Sequence, residues 1–298
     1  MWLKSLATWS SSWKVSVLHS VSLVMKCWPR TSTSCQCATS VGDTAMSRRN
    51  SVLINTMSRC VPSCLQPRRS STMQAANVLD HGYVKLLNVA GPVRSHDTSV
   101  SDIAKSARTS FANYSREKTF EDDVKLAKYL WRHEHMTPFE MVQTWWEVKA
   151  PIFVARQWFR HRASSFNEIS GRYVKLPEEW YIPDVVGGKP VTNKQGRSEN
   201  LDRAVQEDFR EQLNKACEES YILYQNAIEN GVAPEHARMA LHQNHYTQWV
   251  WRVDLRNLLH FLRLRTDEQA QWEIRQYATT MRKMIYENIN GLKEVIEQ

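Results

Sequence analysis

The sequence predicts an α+β fold, a mixed central sheet carrying long helices, and three observations predict it. Val142, Thr144, Trp146 and Val148 alternate with Gln143, Trp145, Glu147 and Lys149, the period-two signature of a half-buried strand. Leu201, Val205, Phe209, Leu213 and Ala216 recur at helical spacing within a long amphipathic stretch. Strands and helices then follow one another without a regular βαβ alternation, which favours α+β over α/β.

The elements can be justified in order. Asp80-His81-Gly82 is a turn signal leading into a strand over Tyr83–Val89. Ser99–Ser110 and Phe120–His133 carry helical stripes, the second through Val124, Ala127, Leu130 and Trp131. Thr137-Pro138-Phe139-Glu140 combines capping-box spacing with proline at a first helical position. The alternating strand follows, and Pro151 opens a helix running through Phe159 into Arg160-His161-Arg162. Beyond a loop with Pro183, Gly187, Gly188 and Pro190, the long helix spans Leu201–Asn230, with Gly231 as its stop. Pro234 starts a short helix ending near Gln243, and Tyr246–Val253 reads as a strand. Asp254 caps a helix over Leu255–Leu264, and Thr266-Asp267 caps the last one.

Charge divides the chain into two parts. The formal net charge is +8, yet residues 1–79 hold nine Lys and Arg against Asp43 alone, while residues 80–298 hold thirty of each sign. The neutral balance of the longer part argues against a nucleic-acid-binding protein, although Trp and Arg recur together. No apolar run is long enough to span a bilayer, so no membrane association is expected. Five of the six cysteines lie in the first 64 residues, leaving Cys217 in the remainder. One cysteine cannot staple a fold, so the main body suits a reducing compartment, and a cytoplasmic location is expected. Residues 1–72 show no persistent period. Their acid-poor, Ser-rich composition matches a transit peptide. The favoured reading is an upstream extension, disordered or non-native, with Met73 the natural start of a domain over 73–298. Cys35-x-Cys37 and Cys60-x3-Cys64 lack histidines at finger-like spacing, which disfavours zinc there.

Neither common glycine-rich phosphate loop is present, so any nucleotide must be held by side-chain cations. Arg156, Arg160, Arg162 and Arg172 fall within seventeen residues, followed or interleaved by Ser164, Ser165, Asn167, Glu168 and Ser170 around Gly171. Guanidinium groups match phosphate oxygens bidentately, and the amide, hydroxyl and carboxylate groups suit a base or ribose. The plainer reading is cations completing a helix C-terminus. Arg256, His260 and Arg263 share one face of the Leu255–Leu264 helix, opposite Leu255, Leu258, Leu259 and Leu262. That face also reads as solvated surface. His133 and His135 are two ligands short of a metal site, and no metal is expected. Cys217, beside Glu218 and Glu219 in a long helix, is poorly placed as a nucleophile. Ser170 has no apparent triad partner.

Arg160-His161-Arg162 with Ser170 eight residues after Arg162 resembles the signature of flavin-dependent thymidylate synthases. His135-Met136-Thr137-Pro138-Phe139-Glu140, the run Ala150–Arg160, Arg256, Leu264-Arg265 and Ala270–Ile274 extend the similarity over roughly residues 77–290. The resemblance implies conversion of dUMP to dTMP, with methylenetetrahydrofolate as carbon donor and NADPH-reduced FAD as hydride source. It implies a homotetramer with active sites shared between subunits. By position, His135, Thr137, Arg160, His161, Arg162, Glu168, Asp254, Leu255, Arg256 and His260 would contact FAD. Gln157, Trp158, Phe159 and Arg160 would hold dUMP, together with Glu168, Ile169, Ser170, Gly171 and Arg172 of another subunit. Arg238 and Arg265 would complete that site, Arg265 as the catalytic residue that favours ionisation of the uracil ring. Asp254 and His260 stand where asparagine often occurs in the family, and the added charge at Asp254 sets its capping role against flavin contact.

Overall fold

The computed structural model describes residues 74–92, 98–112, 117–191 and 196–297, all within one compact unit of the chain. The expectations for residues 1–72 and for Met73 as a start lie outside the described residues.

The strands are β1 (Gln74–Val78), β2 (Gly82–Ala90), β3 (Gln143–Pro151), β4 (Ser165–Glu168) and β5 (Tyr246–Asp254), in the spatial order β1-β2-β3-β5-β4. The expected mixed sheet is antiparallel at all four of these pairings. Parallel pairing among the described residues is confined to an isolated bridge between Ser99 and Asn290. Antiparallel order follows from β1–β2 being a hairpin and from β5 returning alongside β3 in the opposite sense.

The helices are α1 (Val100–Arg108), α2 (Phe120–Arg132), α3 (Thr137–Glu140), α4 (Ile152–Trp158), α5 (Arg203–Glu229), α6 (Pro234–Ala237), α7 (Leu255–Arg265), α8 (Trp272–Asn288) and α9 (Leu292–Ile296). The α+β class with long helices is therefore observed. Among the described residues no helix is long and apolar enough to cross a membrane.

The predicted alternation on β3 is the axis of the core. Thr144, Trp146, Val148 and Ala150 are fully buried, while Gln143, Trp145, Glu147 and Lys149 are half-buried on the other face. Trp249, Trp251 and Val253 of β5 continue the buried face, and the rings of Trp158 and Phe261 pack into it. Thr144 shows how a hydroxyl is tolerated there: Oγ1 donates to Val253 O at 2.9 Å and accepts from Trp146 Nε1 at 2.9 Å.

Four expectations are corrected. Helix α4 stops at Trp158, so Arg160-His161-Arg162 lie in the turn beyond it and Arg160 shares no helix face with Arg156. Thr137 is the first residue of α3 and forms no capping hydrogen bond. Thr266 closes α7, while α8 begins at Trp272 behind an uncapped Gln271. On α5 only the first part of the apolar stripe is uncovered: Val205 and Phe209 are 50% and 46% exposed, Leu213 and Ala216 are half-buried, and the buried residues are Cys217, Tyr221 and Tyr224 further along. Gly231 does stop α5, in the left-handed region at φ +79.

Candidate active site

The centre of the site is a contact between the end of α4 and the end of α7. The last buried residue of α4, Trp158, anchors that helix in the core, and the chain then leaves in a tight turn, with His161 N–H donating to Trp158 O at 3.0 Å. The turn swings His161 towards α7, whose buried Leu255, Leu258, Leu259 and Leu262 fix its rotation and so the direction of Arg265. Arg265 Nε donates to His161 Nε2 at 3.1 Å, and Nη2 donates to Gln157 O at 3.3 Å. Gln157 Nε2 in turn donates to Gln271 Oε1.

This contact fixes protonation. Burial, then the charge of Arg265, then His260 push His161 down to about 4, so its imidazole is neutral near pH 7. Because Nε2 accepts from Arg265, the single ring proton resides on Nδ1, which remains a donor. Burial also lowers Arg265 from its ordinary value. Its guanidinium forms no ion pair among the described residues. A half-buried cation whose neighbours are a neutral ring and a carbonyl is short of negative charge.

Around this centre, Arg160 and Arg162 are exposed and likewise form no ion pair among the described residues. Phe159 packs edge-on against Trp249 and tilted against Phe166. The indole of Trp158 is fully buried, so its side chain belongs to the core and only its backbone can face a ligand.

A second group forms where the chain leaves β4. Glu168 Oε1 accepts from Thr247 Oγ1 at 2.6 Å, and Ile169 N–H donates to Gln248 O at 2.9 Å. Ser170 Oγ then accepts from Arg172 N–H at 3.3 Å. Gly171 is buried so tightly that a Cβ would stand 3.1 Å from Leu176 Cδ1 and 3.3 Å from Arg238 Cδ. That close approach brings Arg238 beside the Ser170–Arg172 turn. Arg172 Nε pairs with Glu235 Oε2 at 3.2 Å. The predicted substrate residues thus form two groups, one at Gln157–Arg265 and one at Glu168–Arg238.

The outer face of α7 supplies a third surface. Arg256, His260 and Arg263 are exposed as predicted, and with Trp131, Met136, Leu259, Leu262, Arg282 and Tyr286 they line a cavity of about 820 Å³. Arg256 Nη1 pairs with Glu140 Oε1 of α3, which stands next to exposed Thr137 and close in sequence to exposed His135. Asp254 is committed to capping: Oδ1 accepts from Asn257 N–H at 3.0 Å and Oδ2 from its side chain at 2.7 Å. Leu255 is fully buried and its N–H donates to Val142 O at 2.8 Å, leaving neither group for a cofactor.

Among the described residues no cluster of histidine, cysteine and carboxylates could hold a metal. Burial raises the Cys217 thiol, and its neighbours are Asn244 and His242, which leaves it a poor nucleophile. Gln271, Glu140, Thr247 and Glu235 escaped sequence reasoning as partners of site residues. Gln271 and Glu140 do lie inside the motifs that carry the resemblance, which was the available signal.

Arginines that form no ion pair among the described residues, beside an apolar-walled cavity, are the chemistry that suits phosphorylated aromatic molecules on an α+β scaffold. The family profile described as "Thymidylate synthase complementing protein" matches residues 93–289. A flavin-dependent thymidylate synthase of Thermus thermophilus is 45% identical over 212 residues, covering 71% of this chain and 74% of the relative. One from Wolbachia pipientis wMel is 43% identical, covering 70% and 71%. Among solved structures, the UMP/dUMP methylase PolB from Streptomyces cacaoi, bound with 5-Br dUMP, is similar with a TM-score of 0.65 at 27% identity, covering 74% of this chain and 97% of that one. The chain belongs to the flavin-dependent thymidylate synthase family.

Proposed function

We propose that this protein converts dUMP to dTMP, with methylenetetrahydrofolate as carbon donor and NADPH-reduced FAD as hydride source. The observation that carries the reading is Arg265, a half-buried guanidinium bonded to neutral His161 and to Gln157 O and paired with no carboxylate among the described residues. A site of that kind favours an anion. The uracil ring becomes one by releasing its N3 proton to solvent. The charge resides on N3, O2 and O4, and the more electron-rich ring lets N1 push electron density to C5, the atom that must attack the one-carbon unit. Arg265 holds that charge, so no protein nucleophile is needed, in keeping with the buried Cys217 thiol.

The donor set fits a flavin dinucleotide. Exposed Arg160, Arg162 and Arg256 suit its two phosphates, His161 Nδ1–H offers one further donor, and the apolar wall of the neighbouring cavity suits flat rings. FAD, reduced by NADPH, supplies when bound the hydride that completes the methyl group. Gln157, Arg160, the Ser170–Arg172 turn and Arg238 bind and orient dUMP, with the two groups of substrate residues drawn from different subunits of a homotetramer. The uncovered apolar residues Val205, Phe209, Ile222 and Leu223 of α5 support such an assembly.

The test is product analysis with the purified, flavin-loaded chain. dTMP should form when dUMP, NADPH and methylenetetrahydrofolate are all present and in no mixture lacking one of them. Absence of dTMP with flavin fully loaded overturns the proposal.

A further inference from the structure

The cavity on the outer face of α7 contains more positive charge than the flavin reading uses. Its walls include Arg256 and His260, which that reading assigns, but neither His161 nor Arg265. They also include Arg263 and Arg282, which nothing above employs. Arg263 completes the row begun by Arg256 and His260, and its Nη2 stands 3.5 Å from His260 Nδ1. Neither Arg263 nor Arg282 forms an ion pair among the described residues. The carboxylates lining the cavity are Glu134 and Glu297, and Glu297 also attends Lys293 at 4.0 Å, while Arg256 is paired with Glu140 from outside the wall.

Charge counting separates these cations from the flavin. A dinucleotide brings two phosphates, which Arg160 and Arg162 match one for one, while Arg256 is already paired with Glu140. Arg263 and Arg282 therefore lack an anion of their own. Trp131, Leu259 and Tyr286 line the same cavity and supply the apolar and aromatic surface that a ring attached to that anion would cover.

We propose that Arg263 and Arg282 form an anion subsite receiving the charged end of a co-substrate, where phosphate or carboxylate oxygens hang from an aromatic ring system. The proposal rests on the flavin-enzyme reading and adds a site to it. Two co-substrates of that reaction carry this chemistry: the adenosine 2′-phosphate of NADPH and the glutamate carboxylates of the folate. Arginine provides the planar fork that either oxyanion needs.

The experiment uses the full chain loaded with flavin. Turnover by the unaltered protein is measured first, so failure of the flavin-enzyme reading registers as missing product whatever the variants do. Initial rates of the double variant Arg263→Gln/Arg282→Gln are then compared for NADPH against NADH, and for triglutamyl against monoglutamyl methylenetetrahydrofolate. The expected result is a rise in KM of about tenfold for one anionic form, with little change for its less charged counterpart. Flavin content and KM for dUMP should stay at the level of the unaltered protein. Arg263→Lys/Arg282→Lys, which keeps the charges, should recover much of the loss. Selectivity for NADPH identifies the dinucleotide as occupant, and selectivity for the triglutamate identifies the folate. Equal effects on charged and less charged forms, unchanged KM values throughout, or loss of flavin in proportion to turnover would each overturn the proposal.

Discussion

Replacing Arg265 with alanine separates a catalytic cation from a structural one. The side chain spends two donors inside the protein, on His161 Nε2 and Gln157 O. Hydrogen bonds of this kind contribute roughly 1 kcal/mol each net. Against that stands the cost of keeping a half-buried charge without a counter-ion, which is of similar size. Folding stability should therefore move by less than about 2 kcal/mol. Turnover responds differently. Losing one preorganised donor to a developing anion typically costs about a hundred- to a thousandfold in kcat. Arg265→Ala should thus lose activity by that factor while flavin content and melting temperature stay close to those of the parent. Arg265→Lys, which keeps the charge and loses the fork, should fall between. The same substitution removes one of the causes holding His161 down, so the His161 titration followed by NMR should move up from about 4. Flavin lost in step with turnover would reassign Arg265 to cofactor binding. A His161 titration that does not move would show that the two side chains do not meet in solution.

Three further outcomes follow from particular contacts. His245 is 2% exposed, its Nε2 has no hydrogen-bond partner among the described residues, and burial pushes it down to about 4. The unfolded chain therefore binds a proton that the folded one refuses, and stability should fall as pH drops from about 6.5 towards 4, by of order 2–3 kcal/mol from His245. His161 adds a smaller, solvent-screened share in the same direction. Urea unfolding of His245→Phe at pH 7 and pH 5 should show a flatter dependence, and a slope equal to the parent's would refute the assignment. Asp254→Ala should cost about 1 kcal/mol through loss of the α7 cap, whereas Asp254→Asn should keep the melting temperature and hold flavin at least as well. Weaker flavin binding in the asparagine variant would show that the carboxylate serves the cofactor. Gly171→Ala places a methyl 3.3 Å from Arg238 Cδ and should raise KM for dUMP several-fold at a stability cost near ~1 kcal/mol. An unchanged KM would mean that Arg238 is not positioned by this turn.

What the sequence made legible follows from which surfaces the chain covers by itself. The alternation on β3 and the leucine stripe of α7 were readable because each faces core supplied by the same chain. The stripe on α5 shows the same spacing, yet Val205 and Phe209 are exposed because nothing among the described residues lies over them. Periodicity reports that a helix has an apolar face, not which molecule covers it. Strand β4 carries no strand signal in the sequence: Ser165, Asn167 and Glu168 are exposed, only Phe166 is partly inward, and an edge strand with one neighbour has little alternation to display. Helix α4 was drawn too long because the arginines after Phe159 carry no breaking residue. The chain turns there through backbone bonds from Arg160 and His161 to Gln157 and Trp158. In the site, residue types were legible and pairings were not. His161 and Arg265 lie 104 positions apart, so only the packing of α4 and α7 on a common core reveals that one histidine keeps one arginine in place.

The central claim is that an uncompensated guanidinium at the end of α7 draws its missing negative charge from the substrate. The ultraviolet spectrum of dUMP bound to the full chain near neutral pH measures this directly. The account predicts the spectrum of the ring-ionised form with the parent protein, and its loss with Arg265→Ala under conditions where dUMP still binds. A bound uracil that remains neutral in the parent, or stays ionised without Arg265, would contradict it.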